Sequence, residues 1–462
     1  MISLLNAFKA APARPGPANP DMDRFKRLRW QTFISMSLSY ALFYVCRLSF
    51  NVVKPALVAH NLLSPAQLGI IGSALFFAYA IGKLVKGFLA DHANVRRFMM
   101  LGLLLSALVN ACMGLTTNTV ILTLIWGLNG WAQSMGVGPC VVSLSRWYSD
   151  KERGTFYGFW SIAHSLGEAL TYVAVAAVVV TWGWQYGYGL ATLMGLAGLA
   201  LIFFFMADSP QSCGFPAVHH EAQTPTPGDS PAPSIFSKQL ALLKNPALWL
   251  LAMASCLMYI GRYAVISWGV FFLENAKAYN TLSASTLISI TGVFGIIGTG
   301  LSGLISDRFF NGKRNALAML FGLMNTLSLS AFLFVPAGHY WLDATAMLFF
   351  GLSMGALLCF LGGLMATDIA AKGAAGAALG MIGIASYAGA AAGEILTGVL
   401  IEHGTTVLSD GSKAYDFQTL SIFWVCASLV SVLMTALFAL HLQQRRPPTL
   451  PKRKETLVPV QP

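Results

Sequence analysis

Charge is scarce in this chain. Asp, Glu, Lys and Arg make up only 10% of its 462 residues, against roughly 25% in an ordinary soluble protein. That scarcity excludes a large water-soluble domain. Cysteine is also sparse: seven residues and no Cys-x-x-Cys pair, so neither a disulfide framework nor a metal site is expected. No ATP-binding loop, redox-cofactor motif or nucleophile–base cluster is present, so the chain reads as a non-enzyme without a cofactor. The opening MISLLNAFKAAPARPGPANP is a poor cleavable signal, because its apolar run is short and its charges follow that run.

Hydrophobic residues, by contrast, make up 56% of the chain. Apolar runs of about 20 residues, each long enough to cross a bilayer as a helix, recur along its length. Twelve spans are expected, at 31–57, 66–90, 98–116, 119–146, 154–181, 184–206, 246–274, 283–306, 315–335, 341–367, 374–402 and 417–441. The fold class is therefore an all-α membrane protein of twelve transmembrane helices. An N-terminal arm (1–30) precedes a six-helix bundle (31–206), and a Pro/Ser/Thr-rich linker (207–245) leads to a second bundle (246–441) and a basic tail (442–462). Both termini then share one side of the membrane. That side carries 22 of the 29 Lys and Arg residues, and the opposite side carries three: Lys54, Lys277 and Lys413. By the positive-inside rule the basic side, with both termini, is cytoplasmic. The net charge of +11 is accounted for by topology, and no nucleic-acid partner is expected.

Two arginines sit inside apolar stretches, Arg47 in YALFYVCRLSFNVV and Arg262 in LMYIGRYAVISWGV. A Gly-x-x-x-Asp pattern occurs at Gly87–Asp91 and again at Gly303–Asp307. The step from the first arginine to the second matches the step between the two Gly-x-x-x-Asp patterns to within a single position. The matched offsets predict a duplicated bundle, two halves related by a pseudo-twofold axis along the membrane normal, with a substrate site between them near the midplane. The short basic turns after the second helix of each half hold Asp91, Arg96, Arg97, Asp307, Arg308 and Arg314, and Arg153 sits in a similar turn after span 4. These residues are candidates for gating the basic side. Simple topogenic charge would explain the positives but not the repeated Gly-x-x-x-Asp.

An arginine in hydrocarbon is costly and marks a functional position. On span 1 Tyr40, Tyr44 and Arg47 share one helix face, as do Tyr79, Lys83 and Lys86 on span 2, Tyr259 and Arg262 on span 7, and Trp160, His164 and Glu168 on span 5. Facing inward, they offer four cations against two acids, Glu168 and Glu394. One reading is a set of structural ion pairs, such as Glu168 with Lys86, and Trp160 and the tyrosines could simply pack. The excess of cations favours an anion cavity, since arginine's planar fork matches phosphate oxygens. Two arginines roughly balance the −1.5 to −2 charge of a phosphomonoester. Lys86 and Glu168 are possible selectivity residues, Lys86 near enough to the helix end to snorkel. Glu168 would either pair with an interior lysine or meet a cationic group on the substrate.

At these residues the chain resembles the organophosphate:phosphate antiporter family of the major facilitator superfamily. The likeness runs through SYALFYVCRLSFNV, FFAYAIGKLVKGFLAD, GWAQSMGVGPC, RWYSDKERGTFYGFWSIAHSLG, DSPQSCGFP, MYIGRYAVISW, SDRFFNGKRN and KGAAGAALG. The resemblance implies that Arg47 and Arg262 are the phosphate-binding pair, with His164 and Lys83 beside them. It implies exchange of inorganic phosphate for an organic phosphate (sugar phosphate, glycerol phosphate or phosphoglycerate) by a monomer in a bacterial inner membrane. The same family contains a sugar-phosphate sensor that signals to a histidine kinase, and that alternative stays open here. Departures from the family pattern fall around the clamp: Leu48, Gly292, Ala356, Leu357, Leu358, Leu379, Ile382, Ser165 and Glu168 itself, which stands where the family has glycine. They leave the organic end of the ligand unassigned.

Overall fold

The computed structural model describes residues 10–15, 21–90, 93–218, 242–309, 314–369 and 375–444. Asp91 lies outside them, as does the side chain of Asp307.

The first half comprises α1 (Met22–Ala59), α2 (Pro65–Ala90), α3 (Val95–Met113), α4 (Thr119–Gln133), α5 (Val137–Trp147), α6 (Asp150–Trp182) and α7 (Trp184–Phe205). The second comprises α8 (Pro246–Lys277), α9 (Thr281–Phe309), α10 (Arg314–Phe334), α11 (Tyr340–Cys359), α12 (Met365–Ile369), α13 (Ala375–His403) and α14 (Gln418–Gln444). Among the described residues eleven helical stretches are long and apolar enough to cross a membrane. The twelfth is the pair α4–α5, predicted as one span at 119–146. It is split where the chain tightens, the Met135 and Gly136 amides donating three residues back to the Ala132 and Gln133 carbonyls, and Pro139 in the next turn has no N–H to continue the α4 ladder. A π-helical turn over Phe360–Leu364 similarly interrupts the tenth span at the Gly362–Gly363 pair. Some helix starts carry side-chain caps. The Asp21 carboxylate accepts from the Asp23 and Arg24 amides, so α1 begins well before the predicted span. Asn94 caps α3, and Asn245 with Pro246 opens α8.

The only strands among the described residues form a small addition to the all-helical expectation. β1 (Thr405–Val407) and β2 (Lys413–Tyr415) pair antiparallel between α13 and α14, with Thr405 opposite Tyr415. Asp410 accepts from the Ser412 amide and hydroxyl in their turn, where Gly411 takes a φ of 83°.

Packing repeats between the halves. α1 lies on α6 and α7 as α8 lies on α13 and α14, α2 packs on α4 as α9 packs on α11, and α3 on α7 as α10 on α14. The halves meet through α2 with α13, α6 with α9, and α1 with α8. This is the arrangement of two six-helix bundles about a pseudo-twofold axis. The first part of the predicted linker is folded onto the first half. Asp208 accepts from the Ala11 and Val95 amides and pairs with Arg146 at 2.9 Å.

The two sides of the membrane differ. On the side away from the termini the halves are closed. A Cβ on Gly398 of α13 would stand 2.4 Å from the Pro65 carbonyl, and one on Gly69 of α2 would stand 2.5 Å from that of Glu394. Toward the basic side the facing helices diverge, and a Cβ on Gly154 of α6 or Gly380 of α13 would meet nothing within 4 Å. Hydrogen bonds agree. Those that join the halves cluster at the level of the two arginines and beyond, from Arg47–Tyr263 out to Ser64–Glu402. The protein is open to its basic side.

Candidate anion-binding site

The inner end of that opening is built from α1, α2, α6, α8, α9 and α13. Arg47 is 4% exposed and Arg262 is 7% exposed, so both are taken out of water. Their surroundings differ. Arg47 sits in an aromatic cage: its guanidinium carbon lies 4.6 Å from the centre of the Tyr79 ring, 5.5 Å from Tyr387, and 5.6 Å from both Tyr44 and Phe76. One of its nitrogens donates to the Tyr263 hydroxyl at 3.1 Å, and its Nε has no partner. No carboxylate among the described residues pairs with it. Ring faces partly compensate a buried cation, but a lone charge in a low-dielectric site remains unfavourable by on the order of several kcal/mol. The cage therefore leaves the Arg47 charge without a counter-ion among the described residues.

Arg262 is already paired. It donates to Glu168 Oε2 at 3.0 Å, and the Thr291 hydroxyl reaches Glu168 Oε1 at 3.3 Å. The expectation of a lysine partner for Glu168 is corrected here. The carboxylate leaves α6 toward α8 and α9, across the interface between the halves. Lys86 instead turns to α4, where its ammonium contacts the Trp131 carbonyl and lies 4.2 Å from the Trp131 ring centre. It is buried away from the arginines rather than lining their cavity.

His164 lies one turn before Glu168 on α6. Its Nδ1 contacts the Ser161 carbonyl, its Nε2 meets the Ser165 hydroxyl at 3.2 Å, and its ring is 5.7 Å from that of Tyr44. His164, Ser165, Glu168, Arg262 and Thr291 line one cleft. Lys83 reaches from α2 toward α13, its ammonium 5.9 Å from the Tyr387 ring centre and 3.4 Å from where a Gly383 side chain would begin. It is exposed in the opening, with no acid partner among the described residues. Tyr259 packs 5.5 Å from Tyr387, ring to ring, and Tyr79 packs 4.6 Å from it. Tyr40 lies deeper in the first half, its ring tilted against that of Trp160 at 4.9 Å. The sequence-predicted residues brought together are thus Arg47, Arg262, His164, Lys83, Tyr44, Tyr79, Tyr259 and Glu168.

Sequence reasoning missed Tyr387 and Tyr263, which join the two arginine environments. It also misplaced Lys54. That residue was assigned to the outer side, yet it is fully buried and pairs with Glu394 at 2.9 Å. Lys54 also donates to Ser267, which in turn donates to Asn51, and the Trp268 indole donates to Glu394. This network closes the site from the outer side. Lys277, assigned to the same side, is buried against Asp343.

The candidate gating residues make contacts within their own half wherever a partner is described. Arg96 meets the Phe203 carbonyl and ring, and Arg314 pairs with Asp368. Arg308 is exposed, Arg153 lies on the first turn of α6, and the Arg97 amide is capped by Asn94.

Comparison with known proteins agrees with this architecture. Residues 36–394 match the Major Facilitator Superfamily. A probable hexose phosphate transport protein of Chlamydia pneumoniae is 33% identical over 79% of this chain and 84% of its own. The membrane sensor protein UhpC of Salmonella typhimurium is 32% identical over 84% and 89%, and the glycerol-3-phosphate transporter of Haemophilus influenzae is 32% identical over 84% and 88%. Among solved structures, an inward-facing bacterial homologue of the human lysosomal transporter Spinster superposes with a TM-score of 0.71 at 16% identity, covering 92% of this chain and 99% of that one. The nucleoside transporter NupG gives 0.68 at 16%, covering 90% and 99%. At such identities the structural likeness is one of fold alone. With its two packed six-helix bundles and these relatives, the chain belongs to the Major Facilitator Superfamily and, within it, to the organophosphate:phosphate antiporter family.

Proposed function

We propose that this protein is a secondary transporter that exchanges an organic phosphate for inorganic phosphate by alternating access. The observation that carries the reading is Arg47, a buried guanidinium with no acid partner among the described residues, with a second buried arginine at the same inner end of the opening. Around it, Arg47, Arg262 and Lys83 offer three positive charges against the single carboxylate of Glu168. The surplus suits the dianion of a phosphomonoester. The relatives named for hexose phosphate and glycerol 3-phosphate support that ligand class.

In this reading the basic side is cytoplasmic, as the distribution of Lys and Arg requires. Both termini then face the cytoplasm of a bacterial inner membrane, and the carrier works as a monomer with the halves 31–206 and 246–441 as its moving bodies. A cytoplasmic anion enters between α2, α6, α9 and α13 and meets the tyrosines. It then takes hydrogen bonds from Arg47 on one half and Arg262 on the other. An anion held by both arginines screens their charge and lets the halves rock together on the open side. The outer contacts, Lys54–Glu394 and the close approach of α2 to α13, must then part. Without an anion the positive charges resist that approach, which ties each crossing to a bound phosphate. In this reading Asp91, Arg97, Arg153 and Asp307, all in or next to the short basic turns of the sequence, latch the basic side once it closes.

The test is exchange in vesicles loaded with labelled inorganic phosphate. Added phosphorylated sugars, glycerol phosphates, phosphoglycerates or phosphonates should release label, and the same sugars without phosphate should not. Release by none of the phosphorylated compounds would overturn the proposal. The sensor reading draws on the 32% identity to UhpC. It predicts ligand binding without exchange, and a change in the activity of a histidine kinase.

A further inference from the structure

The position of Glu168 has a consequence for what the site binds together with phosphate. Its carboxylate is buried, 4% exposed, and holds Arg262 at 3.0 Å. An anion can engage Arg262 only by sharing that guanidinium with Glu168 or by displacing it. In either case a phosphate oxygen arrives within a few ångströms of an ionised carboxylate in a site with little water. Two such anions side by side cannot both keep full charge, and one takes a proton. A protonated Glu168 would stop repelling the phosphate and could donate a hydrogen bond to it.

We propose that Glu168 makes the proton a co-ligand: binding of a phosphate dianion is accompanied by uptake of one proton at the Glu168 carboxylate, which then travels with the anion. The inference rests on the reading of this site as a phosphate site. The step is a proton transfer only: one O–H bond breaks in a solvent hydronium ion, which becomes water, and one forms at a Glu168 oxygen. The Arg262–Glu168 ion pair is exchanged for an Arg262–phosphate pair.

The neighbours are suited to that exchange. Arg262 faces Glu168 from α8, Arg47 and Tyr44 lie toward it from α1, and Thr291 contacts it from α9. Along α6 itself His164 lies one turn nearer the open side and Tyr172 one turn beyond. No second carboxylate among the described residues contacts this group, so Glu168 is the acid best placed to hold the proton. His164, which lines the same cleft, gives the proton a way in from the open side.

The experiment measures binding of inorganic phosphate to the purified, detergent-solubilised protein between about pH 8 and about pH 9, where the ligand is the dianion and its own titration adds little. Uptake of one proton requires affinity to weaken by up to about tenfold over that pH unit. Glu168→Gln should abolish the slope, and His164→Asn should keep it. A flat wild-type profile, or a slope that survives in Glu168→Gln, overturns the proposal. Should Glu168→Gln fail to fold, proton uptake by the wild type on phosphate addition in weak buffer decides the matter. About one proton per bound phosphate supports the proposal, and none overturns it. Failure of the wild-type protein to bind phosphate at any pH would instead refute the phosphate-site reading itself.

Discussion

At the scale of single residues, each buried charge is compensated in its own way. Arg47 relies on ring faces, and Tyr387 contributes one of four. Replacing Tyr387 with Leu should weaken phosphate binding roughly 3- to 30-fold, the range expected when a cation–π interaction is removed from a desolvated site. The variant should still elute as folded protein in size-exclusion chromatography. Lys54 and Glu394 compensate one another in the outer seal. Lys54→Met alone leaves a buried carboxylate and should lower stability by about 3–5 kcal/mol, whereas Lys54→Met with Glu394→Gln should recover most of it. Thermal unfolding of the two variants checks this, and equal destabilisation would contradict it. Much of this scale was legible in the sequence. The i, i+3 and i, i+4 spacings put Tyr44 with Arg47, Tyr259 with Arg262 and His164 with Glu168 on shared faces. What spacing does not contain is the partner across the interface. Glu168 had several cations within plausible reach, and only the packing of α6 on α8 and α9 selects Arg262. Tyr387 does carry a signal in the sequence: it follows Tyr172 by the same offset at which Arg262 follows Arg47. Lys54 was misplaced because a lysine near a helix end is usually able to snorkel. Here α13 covers that end and supplies an acid.

At the scale of elements, hydropathy was enough to place the spans but not their interruptions. The break between α4 and α5 follows from the tightened turn at Met135–Gly136 and from Pro139, which a window of mean apolarity averages away. The π turn at Phe360–Leu364 depends on the ladder geometry of one segment and leaves no mark on hydrophobicity. The contact of α2 with α13 depends on glycine. Leu at Gly398 would have to displace the Pro65 backbone, so Gly398→Leu should prevent outer closure. The expected result is loss of exchange, with a reporter cysteine in the outer half of α13 becoming reactive to a membrane-impermeant thiol reagent. Exchange at the wild-type rate, with that cysteine still protected, would show that α2 and α13 need not meet.

At the scale of the whole molecule, duplication explains both the fold and the site. A repeat spanning nearly half the chain sets one arginine in each half, and the pairing of helices in the first half recurs in the second. The site then lies where the halves face each other, and an anion that touches both arginines touches both moving bodies. The sequence could not show which side would be open. That depends on the balance between outer contacts, such as Lys54–Glu394, and basic-side latches, and such a balance is a property of two packings of one chain. The central claim is that Arg47 and Arg262 together grip the phosphate. The most direct test is phosphate exchange in reconstituted vesicles by Arg47→Lys and Arg262→Lys, which keep the charge but lose the planar fork. The account predicts a fall of at least about thirtyfold for each, the lower end of the cost of breaking a buried, hydrogen-bonded charge pair. Near-wild-type exchange by either variant would contradict it.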